Sequence, residues 1–156
     1  MSKFKIVLVA PEIPGNTGSI GRTCVALNLE LILIKPLAFD ISEKAVRRAG
    51  LDYWKYVHLK TYENFEEFLA NENPPKEKLF FFSKFAKKNL FEAAFTENCY
   101  LIFGSETKGL PKSILEKYRD SLYSLPMYSE HIRSLNLSNA ATAVAYEALR
   151  QISFKP

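Results

Sequence analysis

The segment FKIVLVAPEIPGNTGSIGRTCVALNLELILIK, residues 4–35, holds two apolar runs on either side of a polar, glycine-bearing stretch. The first run, FKIVLVA (4–10), is continuous and rich in β-branched residues, the pattern of a strand buried on both faces. Pro11 and Pro14 end it. Asn16 or Thr17 is expected to cap a helix reaching about Leu27, with Cys24, Val25 and Leu27 supplying apolar surface. The second run, LELILIK (29–35), is another buried strand, closed by Pro36. Strand, helix and strand in so short a span form one βαβ unit, which requires a parallel pair joined by a right-handed crossover.

The same grammar continues outward. Ser42 is placed to cap a short basic helix, SEKAVRRAG (42–50), with Gly50 ending it. Residues 56–59 fit a short strand. Residues 62–71 fit a helix with Phe65, Phe68 and Leu69 on one face, stopped by Asn73-Pro74-Pro75. KLFFFS (78–83) and CYLIF (99–103) are strands, whereas 85–97 reads as a helix or as a loop with one turn. Pro111 at a first helical position opens a helix toward Tyr118, and 121–125 is the last strand. The closing stretch, LPMYSEHIRSLNLSNAATAVAYEALR (125–150), starts as loop and ends as helix. Ala140, Ala141, Val144, Ala145 and Ala148 fall near helical spacing, and Asn136, Ser138 and Asn139 are capping residue types at its entry. No repeat or linker interrupts the chain. The expectation is one α/β domain over residues 1–156, a mostly parallel sheet of about six strands with helices on both faces.

Composition excludes more than it assigns. A length of 156 residues suffices for a real core, and 47% hydrophobic with 24% charged residues is ordinary for a globular domain. The net charge of +4 is compatible with a polyanionic partner without requiring one. Cys24 and Cys99 lie in apolar runs with no CxxC spacing and no neighbouring histidine, so buried thiols in a reducing cytosol are expected, and no metal site. No apolar run approaches 18 residues and the first apolar stretch is short for a signal peptide, so no membrane association and a cytoplasmic location are expected.

Ligands of open parallel sheets bind outside the carboxyl ends of the strands. Three loops there are polar: PEIPGNTGSIGR (11–22), GSETKGLP (104–111) and the start of the closing stretch. Gly15, Gly18 and Gly21 are spaced GxxGxxG rather than GxGxxG, and the second strand ends in Lys35-Pro36 where a dinucleotide site needs an acid. That argues against a nicotinamide-type redox enzyme. The second loop lacks GK[ST] and is not a Walker P-loop. The glycines suit a turn and close helix packing. Gly104 lets a backbone or a ligand approach the strand end, and Glu106 can accept hydrogen bonds from a loop amide or stand as a solvated pair with Lys108. Arg22, one turn into the helix, opposes the helix dipole, which suggests an anionic partner.

Together NTGSIGR (16–22), LIFGSETKGLP (101–111) and LPM…IRSLNLSNAATAVAYEA (from 125) resemble the three sequence motifs of the SPOUT RNA methyltransferases. The likeness is closest to the small TrmL-type enzymes, which methylate a ribose 2′-hydroxyl in the tRNA anticodon. PEIPGNTG and RRAGLDYW (47–54) match that subgroup too. The resemblance implies an α/β fold with a C-terminal trefoil knot, a homodimer, and S-adenosylmethionine bound by Phe82, Gly104, Glu106, Leu125 and Ser134. It implies tRNA contacts by Arg47, Arg48, Lys108 and Arg133, and catalysis by Arg22 with Ser138 and Asn139. A guanidinium is not normally deprotonated in a protein, so Arg22 is expected to stabilise a developing alkoxide or a phosphate, with Ser138 or Asn139 orienting the hydroxyl. Lys44, Arg47, Arg48 and Lys55, interleaved with Tyr53 and Trp54, suit phosphate contact and base stacking, or else a solvated helix beside a core tryptophan. Lys84, Lys87 and Lys88 form a second basic patch. His58 is expected to be structural, His131 an exposed loop residue, and Tyr146 either a core residue or one reaching an interface. A methyltransferase for another tRNA or ribosomal RNA position, or a non-catalytic RNA-binding dimer, would carry the same motifs.

Overall fold

The computed structural model describes residues 2–48 and 51–154, apart from the side chains of Glu43 and Arg47. The first apolar run forms β1 (Lys5–Val9), followed by α1 (Pro14–Leu27) and β2 (Glu30–Ile34). The two strands pair in parallel from Lys5 beside Glu30 to Val9 beside Ile34. After them come α2 (Glu43–Arg48), β3 (His58–Tyr62), α3 (Phe65–Glu72), β4 (Leu79–Phe82), β5 (Lys88–Asn89) and β6 (Tyr100–Phe103). The chain then forms α4 (Lys112–Lys117), β7 (Leu122–Ser124) and α5 (Leu137–Ser153). The sheet order is β3-β2-β1-β6-β4-β7-β5, and every paired strand is parallel.

Continuous apolar runs become intelligible in this sheet, because successive side chains enter opposite cores. Ile6, Leu8, Leu31, Leu33, Leu101 and Phe103 pack with Ile20 and Cys24 of α1 and with Ala141, Val144, Ala145 and Ala148 of α5. Val7, Val9, Ile32, Ile34, Phe81 and Ile102 pack on the other side with Phe68 of α3 and Ile114 of α4. A side chain of this size contributes about 1.5–3 kcal/mol when fully buried, so either layer alone offsets only part of the chain's ordering entropy. The alanines let α5 lie close to α1, where the Thr23 and Thr142 hydroxyls meet at 2.7 Å. Burial pushes the free Cys24 thiol up to about 12 and the free Cys99 thiol to about 11, which keeps both protonated. Among the described residues, no helix is long and apolar enough to cross a membrane.

Several boundaries differ from the sequence reading. Among the described residues there are seven strands rather than about six, because 85–97 is neither helix nor plain loop. It holds the two-residue β5, paired with Tyr123 and Ser124, and one 3-10 turn at Leu90–Glu92 capped by Asn89. β3 begins at His58 rather than residue 56, since Trp54–Tyr56 closes a 3-10 turn first. His58 is exposed on this edge strand. α1 begins at Pro14, a residue preset for the first helical position, so Asn16 and Thr17 lie buried inside its first turn instead of capping it. The cap of α3 is Asn64, whose side chain accepts from the Glu67 amide. Pro111 sits at the cap of α4, one place earlier than expected. Tyr146 is 52% exposed on α5 and is not a core residue. Gly50 lies outside the described residues.

Candidate functional site

The topology reverses between β1 and β6, whose onward connections leave to opposite sides of the sheet. A crevice forms outside the carboxyl ends at such a point. Two carboxylates bridge it. Glu106, after β6, accepts hydrogen bonds from the Glu12 amide at 2.8 Å, the Ile13 amide at 2.8 Å and Asn16 Nδ2 at 3.1 Å. Glu12, after β1, accepts in return from the Thr107 hydroxyl at 2.7 Å and the Thr107 amide at 3.1 Å. Those two bonds hold the Glu12 carboxyl below its usual range. Ile13, the cap position of α1, makes no side-chain cap bond. Glu106 therefore supplies the negative end that this helix start lacks locally.

The third loop joins through asparagines. Asn16 Oδ1 accepts from Asn136 Nδ2 at 3.1 Å. Asn136 Oδ1 accepts from the Ser138 amide at 2.9 Å, the Ser138 hydroxyl at 2.6 Å and the Asn139 amide at 3.2 Å, and so caps α5. One chain of bonds thus runs Glu106–Asn16–Asn136–Ser138, tying the segments after β1, β6 and β7. The middle loop is shaped by its own backbone. Ser105 and Gly109 exchange two amide bonds, and Gly109 has φ +68°. A Cβ on Gly104 would stand 2.1 Å from the Gly109 carbonyl carbon. Gly104 is therefore required because backbone approaches it, the first of the two alternatives its sequence position allowed.

These loops enclose a cavity of about 840 Å³. Phe82 and Phe103, stacked with centroids 4.9 Å apart, form apolar wall together with Leu125 and Leu137. Ser105, Thr107, Ser134 and Asn136 supply polar lining, and Lys84, Phe85 and Lys108 also line it. Phe82, Gly104, Glu106, Leu125 and Ser134, the five residues expected around a cofactor, all line this one cavity, and so does Lys108. Glu106 carries more structure than a ligand contact alone would need, since three of its hydrogen bonds go to the neighbouring loop.

Other expected residues lie outside the lining. Arg22 is exposed on α1, its guanidinium carbon 5.4 Å from the Tyr53 ring centroid. Ser138 and Asn139 sit in the first turn of α5, the Ser138 hydroxyl donating to Asn136. Arg48 is exposed on α2 and Arg133 in the loop before α5, while the Arg47 side chain lies outside the described residues. Tyr53 and Trp54 do not form a free stacking surface. The Tyr53 hydroxyl donates to the Gly18 carbonyl at 2.8 Å, and Trp54 packs on the core beside Gly21. Lys44, Arg48 and Lys55 remain exposed nearby. Sequence reasoning missed Glu12, Asn16 and Asn136 as the ties between loops. The available signal was the pair of acids, Glu12 and Glu106, standing in loops otherwise built of small residues. Among the described residues, no cluster of three or more His, Cys, Asp or Glu is placed to hold a metal ion.

Residues 3–146 match the family described as SpoU rRNA Methylase family. A Bacillus subtilis protein, provisionally named tRNA (cytidine(34)-2′-O)-methyltransferase, is 45% identical over 153 residues, covering 96% of this chain and 94% of its own. A solved structure described as "Structural insights into the 2-OH methylation of C/U34 on tRNA" is 43% identical, with a TM-score of 0.85 over 95% of each chain. The methyltransferase AviRb of Streptomyces viridochromogenes, solved in complex with the cofactor AdoMet, is 28% identical with a TM-score of 0.78. That match covers 97% of this chain and 58% of AviRb.

Proposed function

The chain belongs to the SpoU rRNA methylase family, and on that premise we propose that it methylates the ribose 2′-hydroxyl of the first anticodon nucleotide of tRNA, using S-adenosylmethionine. The observation that carries the reading is the cavity: three strand-end loops, hydrogen-bonded to one another, surround about 840 Å³ with apolar walls and a polar rim. That volume lies within the few hundred to about 1,000 Å³ typical of small-molecule sites. The residues fit the cofactor in kind. Flat apolar walls suit an adenine, and loop amides and hydroxyls suit its ribose and polar edges.

When bound, S-adenosylmethionine supplies an electrophilic methyl group on a sulfonium. The protein's own work is to hold the reacting groups within about 3–3.5 Å and to steady the charge that develops. Phe82, Gly104, Leu125 and Ser134 bind the cofactor, and Glu106 both lines the site and fixes the α1 entry. Arg22 stabilises the nucleophilic oxygen as it becomes negative, or an adjoining phosphate. A guanidinium stays protonated, so its contribution is charge and geometry rather than proton removal. Ser138 or Asn139 orients the ribose hydroxyl. Ser138 donates its own proton to Asn136, leaving oxygen lone pairs able to accept from that hydroxyl.

The same reading includes a single domain, a C-terminal trefoil knot, a homodimer and a cytoplasmic location. The return of the chain from β7 to pack α5 against α1 supports the knot. Exposed apolar residues on α5, at its end and in the loop before it support the dimer, among them Tyr146, Phe154, Ile132 and Leu135. Arg47, Arg48, Lys108 and Arg133 carry the tRNA backbone, and Lys108 is the one of the four that lines the cavity among the described residues. The test is incubation with methyl-labelled S-adenosylmethionine and tRNA lacking 2′-O-methylation, followed by mapping of the labelled nucleotide. Label on the first anticodon ribose is expected. Label on a base, or no transfer with no cofactor binding, would overturn the assignment.

A further inference from the structure

The glycine spacing of α1 has no role in the cavity, since neither Gly18 nor Gly21 lines it. Both glycines instead receive the segment 51–57. A Cβ on Gly18 would stand 2.9 Å from Leu51 Cδ1, and one on Gly21 would stand 2.6 Å from Trp54 Cζ3. Two missing side chains therefore make a groove along the helix, and Leu51 and Trp54 fill it. Tyr53 lies between them and reaches the helix twice. Its hydroxyl donates to the Gly18 carbonyl at 2.8 Å, the carbonyl to which the Arg22 amide bonds in an α-helix. Its ring lies 5.4 Å from the Arg22 guanidinium carbon.

We propose that Tyr53 is the positioning residue of Arg22, holding the guanidinium by its aromatic face while leaving the N–H edges free for an anionic oxygen of the RNA. The assignment rests on the reading of Arg22 given above. The chemistry explains why a ring is suited to this place. A carboxylate partner would occupy the planar fork and neutralise its charge. An aromatic face attracts the cation through its quadrupole and consumes no donor. Among the described residues no carboxylate forms an ion pair with Arg22. Burial pushes the Tyr53 phenol above its usual range, against the opposing pull of Arg22, so the hydroxyl stays protonated and can keep its bond to Gly18. Leu51 and Trp54, locked into the glycine groove, prevent the ring from drifting.

The test is a comparison of Tyr53→Leu, Tyr53→Phe, Arg22→Lys, Arg22→Ala and the Tyr53→Leu/Arg22→Ala double variant. Methyl transfer to tRNA, cofactor affinity by calorimetry and melting temperature are measured for each. Tyr53→Leu should lower kcat about tenfold, between the few-fold worth of an exposed cation–aromatic contact and the roughly hundredfold cost of a misplaced group. Its cofactor Kd should stay within about twofold of wild type, and Tyr53→Phe should recover at least half of the lost kcat, because the ring is retained. In the Arg22→Ala background, where no cation remains for the ring to hold, the Tyr53→Leu change should cost little more, the mark of two residues acting as one unit. Wild-type kcat in Tyr53→Leu, a full additive loss in the double variant, or a cofactor affinity that falls in step with kcat would each overturn the proposal. Normal turnover in Arg22→Lys would instead remove the underlying reading of Arg22, and this proposal with it. Should Tyr53→Leu not fold, Tyr53→Met, of similar volume and without a ring, takes its place with the same expectations.

Discussion

Glu106 and Glu72 are both carboxylates with three hydrogen-bonding partners, and they do opposite jobs. Glu106 accepts from two backbone amides and Asn16, across 90 to 94 residues of sequence, beside the cavity. Glu72 ends α3 and accepts from the phenols of Tyr62 and Tyr100 and from Lys60, near the amino ends of β2 and β6. Lys60 also reaches Glu30 at 3.5 Å. The donors around Glu72 come mainly from strands already fixed by the sheet. Its network ties a helix end to that sheet, and no residue of it lines the cavity. The donors around Glu106 are two amides of the loop before α1 and the Asn16 side chain in its first turn, so the carboxylate ties one strand-end segment to another. A carboxylate held by rigid strands adds stability, whereas one held by loop amides sets the geometry of a site.

The largest expected effect strikes the loop end alone. Gly104→Ala must displace the Gly109–Leu110 backbone, which stands 2.1–2.2 Å from the new Cβ. Overpacking of this kind typically costs about 1–3 kcal/mol. Because the strain falls on the cavity wall, cofactor affinity should drop about a hundredfold, measurable by calorimetry. At the opposite end, Glu72→Ala leaves the Tyr62 and Tyr100 phenols without their acceptor and Lys60 with Glu30 alone. With its side chain only 6% exposed, the loss should be about 2 kcal/mol, discounted for the half-exposed Lys60. Thermal unfolding should show it as a fall of about 4–8 °C, with cofactor affinity unchanged.

A pH titration sharpens the same contrast with a smaller signal. Burial pushes the Glu72 carboxyl up, but bonds from Tyr62 and Tyr100 and the Lys60 charge outweigh it and leave the group below its ordinary value of 4.5. A depressed folded value stabilises the protein above the unfolded pKa, and that stability is lost as pH falls through the folded one. The wild-type melting temperature should therefore fall more steeply below about pH 4.5 than that of Glu72→Gln. Smallest is Gly109→Ala. Open space surrounds its Cβ, so only the positive φ is penalised, at about 1 kcal/mol. A few-fold weaker cofactor affinity, and no more, is expected by titration.

Legibility followed the same divide. The βαβ unit at residues 4–35 could be read because strands buried on both faces need continuous apolar runs, and few other structures do. The two-residue β5 could not, because its pairing with Tyr123 and Ser124 decides it rather than any local preference. The start of α1 differs from the capping pattern because Pro14, preset for the first helical position, opens the helix two residues before Asn16. Motif resemblance singled out Phe82, Gly104, Glu106, Leu125 and Ser134, which the fold gathers around one cavity, something no periodicity reveals. RRAGLDYW fits a surface for bases as well as a helix beside a core tryptophan; Trp54 packs on the core, and nothing in that segment shows that two glycines on α1 make a groove for it and Leu51.

The sharpest test is to measure S-adenosylmethionine affinity by calorimetry in Glu106→Ala and Glu72→Ala side by side. The loop-geometry account predicts a Kd about thirtyfold weaker for Glu106→Ala, the scale of about 2 kcal/mol from lost charge-assisted bonds, and a wild-type Kd for Glu72→Ala despite its lower melting temperature. Equal affinities in the two variants, or a weaker Kd in Glu72→Ala than in Glu106→Ala, would contradict it.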